Sequence, residues 1–501
     1  MTTVTLHPGE ADRPTGRARV GINVNHFMDG KFLPEPTRYL GDALRSMGAR
    51  YLRFPGGEKS DGYLWSTPPF EQPAPAFARW GGDEIPESFR RFAAADGRRM
   101  VDTVLDFDGF LRVCREAAAE PVVVLPYDSI YKPPGPGGHA PTREELLVTA
   151  EAWVSHARRM AERGWPRVRD WELGNESYMR AYNGWATAED YARDLAEWSR
   201  RLKRIDPGIA LGANGPNGAD KTGAADPDGA APWWETVLTQ SADAVDFLAI
   251  HDYPCWKWGS YDYYRSHEPR FTEAIDAAVG TLGRYCSATD ASRIRIAITE
   301  MSSVDWLGHP ENLGWPHVNT LGHALVLVDM IGRYRSHPRI DYALLWNTRW
   351  VQNDTAAEPQ LWDALQPDGS LNATGMAMEL WSEAGPGVCA ADAPPELPGF
   401  VAWRGDLPDA QQPEDGPDIV VVLVNKGDRK HPIRIVPDVP MWDAPDPRRR
   451  PHPTATIRHL TGGDPDDTAP RLTTGGARRL TNGEVMLTLP PFSASSVAIR
   501  W

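Results

Sequence analysis

Cysteine is scarce in this chain of 501 residues: Cys114, Cys255, Cys286 and Cys389 are scattered and share no metal-ligand spacing. Free thiols are therefore expected, rather than a disulfide framework or a structural zinc. No run approaches the ~18 consecutive apolar residues that span a membrane. Residues Met1 to Arg19 carry Glu10, Asp12, Pro8 and Pro14 and have no apolar core, so no secretory signal is expected and a cytoplasmic location is. Positive charge is in deficit, with 53 Lys and Arg against 68 Asp and Glu and a net charge of −15. That balance argues against nucleic acid or an anionic membrane as partner. No G-x-G-x-x-G turn follows the first strand, which argues against an open nucleotide-binding sheet.

Tryptophan, by contrast, is plentiful, at 20 residues. Flat aromatic faces suit sugars, although large cores use them too. The length exceeds what one core usually organises, so two domains are expected. Short apolar segments alternate with amphipathic helices up to about residue 385. The strands are read at Ala18–Val24, Tyr51–Phe54, Val122–Leu125, Arg169–Leu173, Ile209–Ala213, Phe247–His251, Ile294–Ile298 and Tyr342–Trp346. Helices stand out at Arg143–Arg163, Ala188–Arg204, Thr272–Tyr285 and Leu321–Tyr334. Eight β/α units predict a closed (β/α)8 TIM barrel, an α/β fold, over residues 1–385. From 386 to 501 prolines break helices and only strands remain (Phe400–Trp403, Ile419–Val424, Ile433–Val436, Thr454–Leu460, Glu484–Leu489, Ser493–Trp501), so a C-terminal all-β sandwich follows. Residues 1–17 are candidates for packing on that sandwich. Stretches 132–141 and 442–453 have loop composition, the former that of a mobile barrel loop.

Two of the barrel strands end on glutamate: Asp170-Trp171-Glu172-Leu173-Gly174-Asn175-Glu176 and Arg295-Ile296-Ala297-Ile298-Thr299-Glu300. Catalytic groups of barrels sit at the carboxyl ends of strands. On the fourth and seventh strands, the two carboxylates can face each other across the mouth, as the acid/base and nucleophile of a glycosidase do. A salt-bridged surface role explains one such glutamate readily and two together poorly. His251-Asp252 could suggest a metal, but no third ligand stands at usable spacing along the chain, so neither metal nor cofactor is expected.

With these motifs the chain resembles the retaining glycoside hydrolases of clan A. Leu52-Arg53-Phe54-Pro55-Gly56-Gly57, followed by Tyr63 and Trp65, and Trp171 to Glu176 are most similar to family 51 α-L-arabinofuranosidases, with likeness also to families 39 and 79. Asp368 to Gly375 resembles the turn that closes such barrels. The resemblance implies Glu176 as acid/base and Glu300 as nucleophile, with Arg53 keeping Glu300 ionised and Asn175 on the sugar 2-hydroxyl. It also implies His251 and Tyr253 in the site, with Tyr253 on the nucleophile. Trp346, ending the eighth strand, is a candidate sugar platform, and Gly56-Gly57 would let backbone approach the sugar. Two positions depart from family 51: Asn25 stands where glutamate is expected and Glu58 where asparagine is. Both are expected to touch the −1 sugar, so specificity is expected to differ. The substrate implied is an oligosaccharide or other glycoside; a homo-oligomer stays open on sequence. Two other readings stay open on sequence: a transglycosidase, and a non-catalytic carbohydrate-binding protein on the same fold.

Overall fold

In the computed structural model, residues 2–6, 19–30, 38–80, 87–131, 138–179, 186–218, 232–254, 259–267, 269–304, 315, 318–350, 360–403, 417–437, 454–476, 478–479 and 484–500 are described. Cys255, residues 132–137 of the first loop and the whole of 442–453 lie outside them. Eight parallel strands close into a barrel in chain order: Arg19–Asn23, Tyr51–Phe54, Glu120–Leu125, Asp170–Leu173, Ala210–Gly215, Phe247–Asp252, Arg295–Met301 and Ile340–Leu345. The last pairs with the first through Tyr342 opposite Arg19 to Leu345 opposite Ile22. These are the eight units read from the sequence, with boundaries moved by a few residues.

Alternation along each strand divides its side chains between two environments. Ile22, Leu52, Phe54, Trp171, Leu173, Leu248 and Ile250 belong to the large core shared with the surrounding helices. Val122, Phe247, Ala249, Ala297, Tyr342 and Leu344 fill the barrel interior instead. The four helices expected from sequence are present as Arg143–Glu162, Ala188–Ile205, Glu273–Tyr285 and Leu321–Ser336. Arg143–Glu162 begins with a capping box, in which Thr142 and Glu145 satisfy each other's backbone donors. Among the described residues no helix is long and apolar enough to cross a membrane.

Beyond the barrel stand two sheets. One runs Gly387–Ala390, Gly399–Trp403, Ile419–Asn425, Ser493–Arg500, Thr454–Thr461 and Arg471–Thr474, with Arg478–Arg479 pairing to its fifth strand. The other holds Thr2–Leu6, His431–Pro437 and Val485–Leu489, so the first strand of the chain joins this sheet, parallel to His431–Pro437. Strands Gly387–Ala390 and Arg471–Thr474 were not expected from sequence. Gly387–Ala390 consists of small residues around one valine and Arg471–Thr474 is mostly polar and exposed, so neither shows an apolar run and their sheet neighbours define them.

The larger sheet is buried on both faces. Val421 and Leu423 point into the sandwich core with Ile433 and Leu489. Val420, Val422 and Val424 join the barrel-side core instead. This explains why Ile419–Asn425 reads as an unbroken apolar run rather than an alternating one. Helix Leu321–Ser336 lies between barrel and sheet and is buried nearly all round, so it too lacks a polar face.

Candidate active site

Arg53 is the centre of the barrel mouth. It follows Leu52, which faces the helices, so its own side chain turns inward, where it is fully buried. Its guanidinium donates to four side chains. Nε meets Glu172 Oε2 at 2.8 Å, Nη1 meets Asn23 Oδ1 at 2.9 Å and Glu300 Oε1 at 2.8 Å, and Nη2 meets Asn175 Oδ1 at 2.8 Å. Two carboxylates thus balance one buried cation, the condition under which such a charge is tolerated. Glu172 and Glu300 hold the guanidinium well above the usual arginine range, against the opposing effect of burial.

Strict alternation would turn Glu300 outward, because Ile296 and Ile298 face the helices and Ala297 the interior. A register shift between Ile298 and Glu300, seen against the sixth strand, breaks the alternation and re-aims the side chain. As a result consecutive residues both reach the buried cluster: Thr299 Oγ1 lies 3.5 Å from Glu172 Oε1, and Glu300 meets Arg53. The second oxygen of Glu300 accepts from the Tyr253 hydroxyl at 2.8 Å.

Glu176 comes from the turn after the fourth strand. Gly174 at φ +75° and Glu176 itself at φ +51° adopt left-handed backbone, a conformation costly for a glutamate and one that persists where the surroundings fix it. They do so here. Asp128 Oδ2 accepts from Ser177 Oγ at 2.8 Å and from the Asn175 amide at 3.3 Å. Asn214 accepts from the Ser177 amide at 2.8 Å and donates to the Leu173 carbonyl at 2.7 Å. A Cβ at Gly174 would lie 2.4 Å from Asp128 Oδ2, so only glycine fits this turn.

His251 joins the two glutamates. Its Nδ1 lies 2.8 Å from Glu176 Oε1 and 3.4 Å from Glu300 Oε2. Glu176, His251 and Glu300 each offer one atom within 4.8 Å of the others. His251 therefore does have two companions of the kind a metal would need, supplied by other strands and so invisible to spacing along the chain. The donor set nevertheless suits a proton better than a metal ion. Arg53 and Tyr253 already occupy the oxygens of Glu300, and a bound cation would be repelled by the Arg53 guanidinium beside it.

Burial would lower the imidazole of His251, but the charges of Glu300 and Glu176 raise it above its usual value. Burial works against the Glu176 carboxylate, yet the hydrogen bond and charge of His251, aided by Arg53, hold it below the usual range. Glu300 is raised: burial outweighs the charges of His251 and Arg53, and Glu176 adds to it. The order is the reverse of what the expected roles demand at the moment of attack. His251 stands in contact with both carboxylates, so the proton of any one of the three bears on the other two.

The structure therefore brings together Arg53, Asn175, Glu176, His251, Tyr253 and Glu300. It does not bring Asn25 and Glu58 into that cluster. Asn25 is buried, its Nδ2 donating to the Arg349 carbonyl at 3.2 Å and its Oδ1 accepting from the Phe27 amide at 3.1 Å. Glu58 is half-exposed and paired with Lys59, whose Nζ lies 4.8 Å from the Trp350 ring centre. Trp346 is nearly buried, its ring 5.6 Å from that of Trp350. A Cβ at Gly57 would sit 2.2 Å from the Trp346 ring, so this glycine lets the tryptophan pack directly on the backbone. Glu172, Asn23, Asp128 and Asn214 were missed from sequence. Inward alternation on the first, fourth and fifth strands signals Asn23, Glu172 and Asn214; Asp128, in the turn Tyr127–Tyr131 after the third strand, has no such mark.

No family model matches the chain. Over 293 residues it is 27% identical to an intracellular exo-α-(1→5)-L-arabinofuranosidase of Streptomyces lividans, which covers 54% of this chain and 40% of that protein. The chain thus spans well under half the length of this curated relative. Its fold is that of the GH51 α-L-arabinofuranosidase of Thermotoga petrophila RKU-1, with a TM-score of 0.66 over 99% of both chains at 18% identity. It is also similar to CelM2, a bifunctional glucanase-xylanase from a metagenome library, with a TM-score of 0.64 over 99% of both at 14% identity. The resemblance read from the sequence stands: in fold over nearly its whole length, and in sequence over about half of it, this chain is similar to the family 51 α-L-arabinofuranosidases of clan A.

Proposed function

We propose that this protein is a retaining O-glycoside hydrolase that works by double displacement. The observation that carries the reading is the meeting of Glu176 and Glu300, with ligand atoms within 4.8 Å of each other and of His251. Retaining enzymes hold their carboxyl groups about 5–5.5 Å apart, whereas inverting enzymes leave room for a water between them. In the first step Glu300 attacks the anomeric carbon while Glu176 protonates the departing oxygen. In the second, Glu176 takes a proton from water, and that water displaces Glu300 from the sugar.

Before the first step the proton must stand on Glu176 and not on Glu300. His251 touches both carboxylates and is the bridge over which it shifts. A sugar that covers the mouth excludes water from Glu176, whose side chain is 27% exposed against 7% for Glu300. That exclusion favours the neutral acid at Glu176. Arg53 and Tyr253 then stabilise Glu300 as the anion that attacks.

The sugar is a finer matter. The named activities of the similar proteins make an α-L-arabinofuranoside the first substrate to test; Asn25 and Glu58, which differ from family 51, stand outside the carboxylate cluster, so any effect of theirs on specificity is exerted from its surroundings. The free thiols of Cys114, Cys286 and Cys389 accord with a cytoplasmic enzyme. The test is a panel of nitrophenyl glycosides (α-L-arabinofuranoside, β-D-xyloside, β-D-glucuronide) read by nitrophenol release, followed by trapping with the 2-fluoro analogue of the best substrate. Release, and a trapped sugar on the peptide carrying Glu300, are expected. No release from any glycoside, or labelling elsewhere, would refute the assignment.

A further inference from the structure

We infer that Glu172 is a positioning residue for this reaction: it grips Arg53 from within the barrel and takes up part of its charge, so that Glu300 remains a reactive carboxylate. The inference rests on the double-displacement reading above. Glu172 and Arg53 are each fully buried in the barrel interior, joined at 2.8 Å through Oε2 and Nε. The Nε bond fixes the plane of the guanidinium, and the remaining nitrogens then face Glu300, Asn23 and Asn175. A guanidinium is a rigid planar fork, so one anchored edge determines where the others point.

The charge matters as much as the anchor. With Glu300 as its sole acidic partner, Arg53 would stabilise that anion fully and blunt its attack on carbon. Glu172 shares the cation and is placed where no sugar can reach it. The groups facing Glu172 are Arg53 and Thr299, with Tyr191 and Tyr342 nearby, whose hydroxyls are raised first by burial and only slightly by its charge. Those facing Glu300 are Arg53, Tyr253, His251 and Glu176. Removing the negative charge of Glu172 leaves Arg53 acting undivided on Glu300, so the carboxylate ionises at lower pH.

The experiment compares Glu172→Gln, which keeps shape and acceptor but not charge, with Glu172→Asp, which keeps charge but shortens the reach. Glu172→Gln is expected to move the acid limb of kcat/KM down by about one pH unit. Its kcat is expected to fall by about tenfold at little change in KM, a loss of transition-state stabilisation alone. Glu172→Asp is expected to lose kcat through misplacement of Arg53 and to leave the acid limb where it was. An unmoved acid limb in Glu172→Gln would overturn the inference, as would a downward shift in Glu172→Asp. If Glu172→Gln does not fold, an Asp variant whose acid limb falls still overturns it, and one with reduced kcat and the native limb supports it. Fluoroglycoside labelling of the native enzyme separates the two levels: unlabelled Glu300 defeats the parent reading, whereas labelled Glu300 with an unmoved limb defeats only the role of Glu172.

Discussion

His251 Nδ1 lies 2.8 Å from Glu176 and 3.4 Å from Glu300, so one imidazole is shared by two carboxylates from different strands. Two anions so close repel, and an imidazolium between them relieves the repulsion. His251 is raised above 6.5 because the charges of Glu300 and Glu176 outweigh its burial and the repulsion of Arg53. A raised histidine contributes stability that is fully present below its unfolded pKa of about 6.5 and is lost as pH rises through the folded value. Imidazole chemical shifts followed by NMR should therefore titrate above 6.5 in the native protein, and lower in both Glu300→Gln and Glu176→Gln. A native titration at or below 6.5 contradicts the arrangement.

Glu300→Ala should remove nearly all turnover while the fold, read by circular dichroism, stays intact, because no glycosyl-enzyme can form without the carboxylate. Its neighbour Arg53 keeps Glu172 as counter-charge, so the barrel interior is not left with an unpaired cation. Added azide should restore release of an activated aryl glycoside with inverted configuration. Activity in Glu300→Ala without any added nucleophile would show that the nucleophile is elsewhere.

Much of this was legible in the sequence, and the reasons are specific. The strand tips at Arg53, Asn175, Glu176 and Glu300 are marked because short apolar runs end abruptly on polar residues, and barrels present such ends at the mouth. What alternation along a single strand does not carry is the register shift that turns Glu300 inward. Pattern likewise says nothing of Asp128, which holds the Glu176 turn from the loop after the third strand, whereas Asn214 follows the alternation of the fifth. Nor does the sequence show the neighbour that Gly57 has in space, Trp346, which is nearly 300 residues away in the chain. Tertiary partners decide what a glycine is for.

Glu176→Ala should damage hydrolysis unevenly. Substrates with poor leaving groups need protonation of the departing oxygen, so their kcat/KM should fall by about 10²–10⁴-fold, the usual worth of general acid catalysis. Activated aryl glycosides should form the glycosyl-enzyme at near-native rates and then stall, since no base activates water. A burst of nitrophenol followed by a slow steady state is the expected record. Equal losses on both kinds of substrate would assign Glu176 a structural role.

Asn25 offers the sharpest test of specificity, because its amide is already in use. Nδ2 donates to the Arg349 carbonyl and Oδ1 accepts from the Phe27 amide, with the residue only 3% exposed. A carboxylate can accept from Phe27 but has no proton for Arg349, so Asn25→Glu would bury an unsatisfied carbonyl and press two acceptors together. Such a loss costs about 1–3 kcal/mol. The variant should therefore melt earlier than the native protein and gain little or no α-L-arabinofuranosidase activity, since a longer side chain forced into this loop has no prepared route to the sugar. Glu58→Asn, at a half-exposed position paired with Lys59, should leave the melting temperature nearly unchanged. Efficient hydrolysis of nitrophenyl α-L-arabinofuranoside by the native enzyme, with kcat/KM of about 10⁴ M⁻¹s⁻¹ or more, would mean that neither replacement alters the −1 site. A gain of that activity in Asn25→Glu at undiminished stability would mean instead that the Asn25 amide is not what holds this loop.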